Sequence, residues 1–347
     1  MNDFPYKQGK ATIALRIPGD YVWDTSVIKA EGKYWMFSSH WPYSKGFGWC
    51  WCFISRIFLS VSEKPEGPYH FVKDIFLPRG KEYFDGMNTH NTCIKYYNGK
   101  FYLYYMGATY DIPVPNHCDE IPLPVAFNTW NHKRIGLAVS DKIDGEYIRR
   151  DEPLFLPREY PHWDSTCTTN PNVIIKDNGE TIMLYKSAIY QGEGKRDAPL
   201  KLGVAIANKP DGPFTRLYDK PILDFPNKEI SLEDPFLWFD KKKNKYCVIM
   251  KDCIGNVANG WGNLIYAESD DCKTFNIEKN PTVITRNLIW EDGHKSLQCN
   301  LERPWLLFNE QGEPTHIFCA TGEGKEPFMF ESETYIVCIK LEKRNKT

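Results

Sequence analysis

The 347-residue sequence has almost no net charge: 43 Lys and Arg stand against 45 Asp and Glu, a formal −2. That balance leaves no basic stripe for nucleic acid or an anionic membrane surface, so neither is expected as a partner. No run of about 18 apolar residues occurs, which excludes a membrane-spanning helix. Paired cysteine motifs are missing too. The eleven cysteines are odd in number and scattered, with only Cys50 and Cys52 close together. Zinc sites and disulfide frameworks need tighter, matched spacing, so these read as buried thiols in a reducing compartment. The first residues lack a basic segment, an apolar core and a small-residue cleavage site, from which a cytoplasmic location is expected. A chain whose leader had been removed, for secretion or the periplasm, would read the same way. Helix-period segments are absent, and prolines interrupt almost every window of about twenty residues.

What is present is a repeated unit. A polar residue, an apolar β-type run, a turn and an aromatic-rich second run recur five times. The copies are WDTSVIKAEGKYWMFSS from Trp23, THNTCIKYYNGKFYLYYMG from Thr89 and TNPNVIIKDNGETIMLYKS from Thr169. EDPFLWFDKKKNKYCVIMKD from Glu233 and ERPWLLFNEQGEPTHIFCATG from Glu302 complete the set. Gly and Asn in the turns supply the positive φ that tight hairpins need. Aligning the copies puts Asp24, His90, Asn170, Asp234 and Arg303 in register, about 70 residues apart. A second signature, such as LSVSEKPEGPYHF from Leu59 or VAIANKPDGPFTRL from Val204, follows four copies and adds two strands to each. Four strands repeated five times predict an all-β, single-domain five-bladed β-propeller over 1–347, with blades starting near 23, 89, 169, 233 and 302. The fifth copy runs out one strand short, and the early run ATIALRI (11–17) is placed to supply it. A pair of β-sandwiches is the competing architecture. In a propeller the first strands surround a central channel, so the polar residues that interrupt them are expected to share one pocket at its mouth.

At these residues the sequence resembles glycoside hydrolase family 43 and related five-bladed propeller glycosidases, over nearly its whole length. The resemblance implies a general base in blade one, an Asp in blade three that tunes the acid, and a Glu in blade four as general acid. Asp24 in VWDTSVIK stands at the base position, and Glu233 in LEDPFLW at the acid position, with Asp234 replacing the usual Gly. Asn170 in TNPNVII stands where the family carries Asp. An Asn hydrogen-bonds but adds no charge to raise an acid's pKa. Asp234, Asp164 in HWDSTCTTN and Glu302 are the candidates to take over that task, and Asp85 in FDGMNTHN mirrors Asp164. His294 in EDGHKSL is similar to the family's blade-five segment, whose His lines the channel and neighbours a structural Ca²⁺. The residues themselves show no dense Asp cluster and no His-x-x-x-His, so no cofactor is expected to be essential.

His90 and Arg303 are expected to line the pocket. The ends of second strands approach its rim and carry His40, Trp41, Lys186 and Lys251. Two lysines and Arg303 around one opening suit a carboxylate or sulfate on the sugar, and Trp41, Trp163 and Trp261 offer flat faces to sugar rings. The aromatic segments 46–56 and 111–134 are expected as substrate-facing walls or contacts in a monomer or small homo-oligomer. The expected activity is hydrolysis of oligosaccharides, exo-acting and inverting, on acidic or decorated sugars. Two rivals stand beside it. One is a glycan-binding propeller that lost catalysis with the change to Asn170. The other is a phosphorolytic glycosidase, which needs a cluster of Arg, Lys and His for phosphate.

Overall fold

Asn98 and Gly99 both take positive φ, 47° and 80°, and close a two-residue turn whose twist matches the strands on either side. Such turns convert each repeat into a hairpin, and further strands extend each hairpin into a four-stranded antiparallel sheet. The computed structural model describes residues 4–225, 229–324 and 326–344. The chain opens with β1 (Tyr6–Leu15) and then builds blade one from β2 (Asp20–Ala30), β3 (Lys33–Pro42), β4 (Arg56–Ser62) and β5 (His70–Asp74). Blade two contains β6 (Asn88–Tyr97), β7 (Lys100–Ala108), β8 (Arg134–Ser140) and β9 (Ile148–Arg149). Blade three contains β10 (Thr169–Ile175), β11 (Thr181–Ser187), β12 (Lys201–Ala207) and β13 (Thr215–Arg216). Blade four contains β14 (Leu232–Asp240), β15 (Lys245–Asp252), β16 (Leu264–Ser269) and β17 (Thr282–Ile284). A separate hairpin, β18 (Asn287–Ile289) with β19 (Lys295–Leu297), precedes blade five.

Blade five contains β20 (Glu302–Phe308), β21 (Pro314–Thr321) and β22 (Tyr335–Lys343), and its outer strand is β1 from the other end of the chain. β1 pairs antiparallel with β22 from Tyr6 opposite Lys343 to Leu15 opposite Ile336. The fold is therefore a five-bladed β-propeller closed by its own N-terminal strand. Neighbouring blades join through aromatic packing. Trp305 Nε1 donates to the Val27 carbonyl at 2.8 Å, and the Trp305 ring meets Phe236 with centroids 5.0 Å apart. One short helix, α1 (Leu123–Asn131), sits in the β7–β8 connection. Among the described residues no helix is long and apolar enough to cross a membrane.

Each innermost strand breaks its ladder at an equivalent place: after Trp23, His90, Thr169, Glu233 and Glu302, with β20 shifting once more after Leu307. At each equivalent break one residue has φ between 52° and 57°: Asp24, Asn91, Asn170, Asp234 and Arg303. These five are the true structural equivalents. The blade-two member is Asn91, and His90 lies one residue before it.

Candidate active site

A residue at positive φ within a bulge re-aims its side chain out of the pleat. Here the five bulge residues link around the channel. Asn91 N donates to Asp24 Oδ2 at 2.7 Å, and Ser39 Oγ donates to the same oxygen. Asn91 Nδ2 donates to Asn170 Oδ1 at 2.7 Å, and Asn170 Nδ2 in turn donates to Asp234 Oδ1. Arg303 N donates to Asp234 Oδ2 at 2.9 Å, and Arg303 Nε lies 4.0 Å from Asp24 Oδ1, closing the circle. Arg303 thus offsets two buried aspartates. Asp24 is wholly buried, and that burial outweighs Arg303 and the Ser39 and Asn91 hydrogen bonds, raising its pKa to about 6. Its Oδ1 has no hydrogen-bond partner, with His90 Nε2 at 3.4 Å. His90 Nδ1 lies 2.8 Å from Ser55 Oγ. Burial and the charges of Lys133, Arg303 and Lys186 push the His90 pKa well down, so its ring is neutral.

The residues just before the bulges form the next layer. Trp23, His90, Glu233 and Glu302 all line a cavity of about 330 Å³ above the ring. Strand register supplies two cations to this layer: Lys186 lies opposite Thr169, and Lys251 opposite Glu233. Lys186 Nζ donates to Glu233 Oε2 at 2.7 Å, and Lys251 Nζ to Glu233 Oε1 at 3.1 Å. Lys251 Nζ also donates to Glu302 Oε1, which accepts a further bond from Asn300 Nδ2 at 2.9 Å. The two glutamates end in opposite states. Burial would raise the Glu233 pKa, but Lys186 and Lys251 together hold it well below the usual range. Glu302 is pushed up to about 8 by burial, opposed by Lys251 and reinforced by the charges of Glu233 and Asp234. The surroundings therefore favour the protonated form of Glu302 and the ionised form of Glu233.

Acidic oxygens of Glu233, Asp234 and Glu302 lie within 4.8 Å of one another. They do not suit a calcium ion, because the Lys251 ammonium already bonds both glutamates and supplies the balancing positive charge.

The walls of the cavity come from connections. Phe47, Trp49 and Trp51 belong to the β3–β4 segment, Trp130 to α1, and Phe328 to the β21–β22 segment. Lys133, just after α1, and Arg196, in the β11–β12 connection, complete one side.

Of the residues singled out in the sequence, the cavity surface gathers His90, Asn170, Lys186, Glu233, Asp234, Glu302 and Arg303. Asp24 lies in the ring beneath them, and Lys251 bonds the two glutamates. Asn170 contacts Asp234 rather than Glu233. Glu233, expected with a raised pKa, is instead held low by Lys186 and Lys251, and it is Glu302 whose pKa is raised, by burial first and then by the charges of Glu233 and Asp234.

Other expectations need correction. Asp85 and Asp164 are not substrate contacts. Each is a buried carboxylate saturated by arginines and a tyrosine away from the cavity. Asp85 takes Arg79 Nε at 2.9 Å and Tyr105 OH at 2.6 Å, with Arg149 at 3.5 Å. Asp164 takes Arg158 Nε at 2.6 Å, Tyr185 OH at 2.8 Å and Arg216 Nε at 2.5 Å. His294 sits in the turn of the exposed β18–β19 hairpin against Asp292, 57% exposed, so it neither lines the channel nor neighbours a metal there. His40 is held between Asp20 and Asp74 at 2.7 and 2.8 Å, which fixes both ring nitrogens away from the site. Trp41 is 1% exposed and donates Nε1 to the Gly46 carbonyl, so it supports the Phe47 segment from behind. Trp163 stacks on Tyr185 beside the Asp164 cluster. Lys186 and Lys251 are paired with glutamates and are not free for a ligand's anion.

The segments 46–56 and 111–134, expected as walls, do line the cavity through Phe47, Trp49, Trp51, Trp130 and Lys133, whereas Asn91, Arg196 and Phe328 were not singled out in the sequence. For Asn91 a signal existed: every bulge residue is followed by Thr or Pro (Thr25, Thr92, Pro171, Pro235, Pro304).

No protein-family model matches the chain, and no curated protein matches it in sequence. Its fold is similar to that of several solved glycoside hydrolases. One of them superposes with a TM-score of 0.69 at 12% identity, covering 98% of this protein and 92% of that one. A family 117 glycoside hydrolase produced by the marine bacterium Zobellia galactanivorans gives 0.67 at 16% identity, covering 97% and 91%. A thermostable family-43 glycoside hydrolase gives 0.57 at 13% identity, covering 94% and 91%. At such identities the shared property is the fold: this protein has the five-bladed propeller on which those glycoside hydrolases are built.

Proposed function

We propose that the chain is a glycoside hydrolase that removes sugar units from the ends of oligosaccharides. The observation that carries this reading is the pair of glutamates bridged by Lys251 on the floor of an aromatic-walled cavity, in surroundings that favour a proton on Glu302 and charge on Glu233. Glycosidic cleavage needs one carboxylic acid to protonate the leaving oxygen and one carboxylate to stabilise or attack the sugar carbon. Glu302 is the acid. Its Oε1 is occupied by Lys251 and Asn300, which leaves Oε2 to carry the proton. Glu233 is the ionised partner, kept so by two lysines. Tryptophan faces suit the apolar faces of a sugar ring, and a cavity closed below by the ring of five residues accepts a chain end rather than a chain middle.

Glu233 and Glu302 are bridged by the Lys251 ammonium, which donates to one oxygen of each. Two groups can partner the acid across the sugar: Glu233 as the nucleophile of a retaining reaction, or Asp24 as the base of the inverting reaction expected from the sequence. The stereochemical outcome distinguishes them. The test is the anomeric form of the first product, followed by NMR on a panel of aryl glycosides and oligosaccharides. Retention supports Glu233 as nucleophile, and inversion moves the ionised role to Asp24. Sugar binding without turnover, unchanged in Glu302→Gln, would replace hydrolysis by glycan binding.

A further inference from the structure

The ionisable groups at the cavity divide unevenly. Asp24 and Asp234 share Arg303, while Glu233 and Glu302 share Lys186 and Lys251. Two cations are left over. Among the described residues, neither Lys133 nor Arg196 has a carboxylate within ion-pair distance. Lys133 is wholly buried, yet its Nζ has no hydrogen-bond partner, and Arg196 Nε is likewise unpartnered. What surrounds them is aromatic. Lys133 Nζ lies 4.7 Å from the ring centroids of both Trp51 and Trp130, and the Arg196 guanidinium 4.3 Å from Trp130 and 5.4 Å from Trp49. Ring faces attract a cation without occupying its N–H donors, so the donors stay available to whatever enters the cavity.

We infer that Lys133 and Arg196, framed by Trp51 and Trp130, form a subsite for an oxyanion carried by the sugar, a carboxylate or a sulfate ester. The inference rests on the glycosidase reading and adds the substrate class. It also places anion recognition on different residues from the paired Lys186 and Lys251. An ammonium and a guanidinium present several donors to such a group and offset its charge. Burial and the charges of Lys186 and Arg196 lower the Lys133 pKa to about 7, with the Cys52 and Cys167 thiols also near it, so an incoming anion relieves an unfavourable charge.

Calorimetric titration of the full-length protein tests this with glucuronate, galacturonate, glucose 6-sulfate, glucose and galactose. At least one anionic sugar is expected to bind about tenfold or more tightly than its neutral counterpart, the scale of one charge-assisted hydrogen bond. Lys133→Met and Arg196→Gln should each remove that preference while neutral sugars bind as before, and Lys133→Arg should restore part of it. Thermal melts establish that the variants are folded, and Arg196→Gln, in a connection, serves if Lys133→Met unfolds. Preference for the uronates assigns a carboxylate, and for the 6-sulfate a sulfate ester. The inference is overturned if no anionic sugar binds better than its neutral counterpart, or if the preference survives both substitutions. It is also overturned if turnover depends on inorganic phosphate, because the anion would then be a second substrate. Binding preference is read without turnover, so loss of the hydrolase reading alone would leave it standing.

Discussion

Glu233 and Glu302 are the same side chain in adjacent blades, and their different charge states come from their neighbours. Two ammonium groups contact Glu233, whereas Glu302 shares one of them and faces two negative charges. If Glu302 donates the proton, kcat/KM falls as pH rises through about 8, because the acid form is then lost. With Glu233 as partner no acid limb appears near 6. A limb there would report Asp24, whose pKa is about 6. Glu302→Gln should lower kcat by roughly 10²–10⁴-fold, and much less on aryl glycosides whose leaving group needs no proton. The same shift acts on stability. A carboxyl whose folded pKa lies above its ordinary value of 4.5 stabilises the fold at low pH and loses that contribution as pH rises through about 8. Melting temperature measured from pH 5 to 9 should therefore decline more steeply in the native protein than in Glu302→Gln. A parallel decline in both would place the proton elsewhere.

At the scale of strands and connections, what the sequence made legible follows from periodicity. Five hairpins with Gly or Asn turns disclosed the blades, and the polar residues that break the inner strands disclosed four of the five ring positions. Blade two was misread by one residue, because His90 and Asn91 are both polar and only a bulge decides which of them enters the ring. Lys133 and Arg196 were not singled out for a different reason: they sit in connections of unequal length, where no repeat brings them into alignment, and only the aromatic character of 111–134 marked the segment that holds Lys133. The mirrored motifs around Asp85 and Asp164 were recognised as a pair, but their distance from the cavity depends on the outermost strands. β13 delivers Arg216 to Asp164, and Arg149 of β9 reaches Asp85 in the same way. These clusters join inner and outer strands and are structural. Hydrogen bonds from Arg216, Arg158 and Tyr185 overcome the burial that would raise the Asp164 pKa, and lower it. Asp164→Asn should cost about 3–5 kcal/mol, since it removes the buried charge that meets the half-buried Arg158 and Arg216, read as a lower urea midpoint with the activity of the folded protein unchanged. The cluster's contribution is present above the ordinary Asp pKa and is lost as pH falls through the lowered one. A large loss of kcat without loss of stability would return Asp164 to the site.

The closure of the whole ring bears directly on the chemistry, because the blade that β1 completes is the one that carries Glu302 and Arg303. Without β1, β22 becomes an open edge whose residues Ile336, Val337, Cys338 and Ile339 are all buried in the closed form. An apolar open edge invites pairing with other chains. Nor are the two ends joined by the ladder alone: Arg344 N donates to the Pro5 carbonyl at 2.9 Å, and Arg344 Nε to that of Tyr6 at 3.1 Å. Blade five also leans on blade one through Trp305 and Val27, and on blade four through the Arg303–Asp234 contact. Loss of the closing strand should consequently spread to both neighbours. A chain beginning at Arg16 is expected to lose its single cooperative melt and to self-associate on gel filtration, with activity falling at least as far as in Glu302→Gln. Supplying Tyr6–Leu15 as a separate peptide should restore part of both, since the ladder it makes with β22 is regular over Ala11–Ile13. A truncated chain that stayed monomeric and melted within a few degrees of the intact protein would mean that packing between blades, and not the shared strand, holds the ring shut.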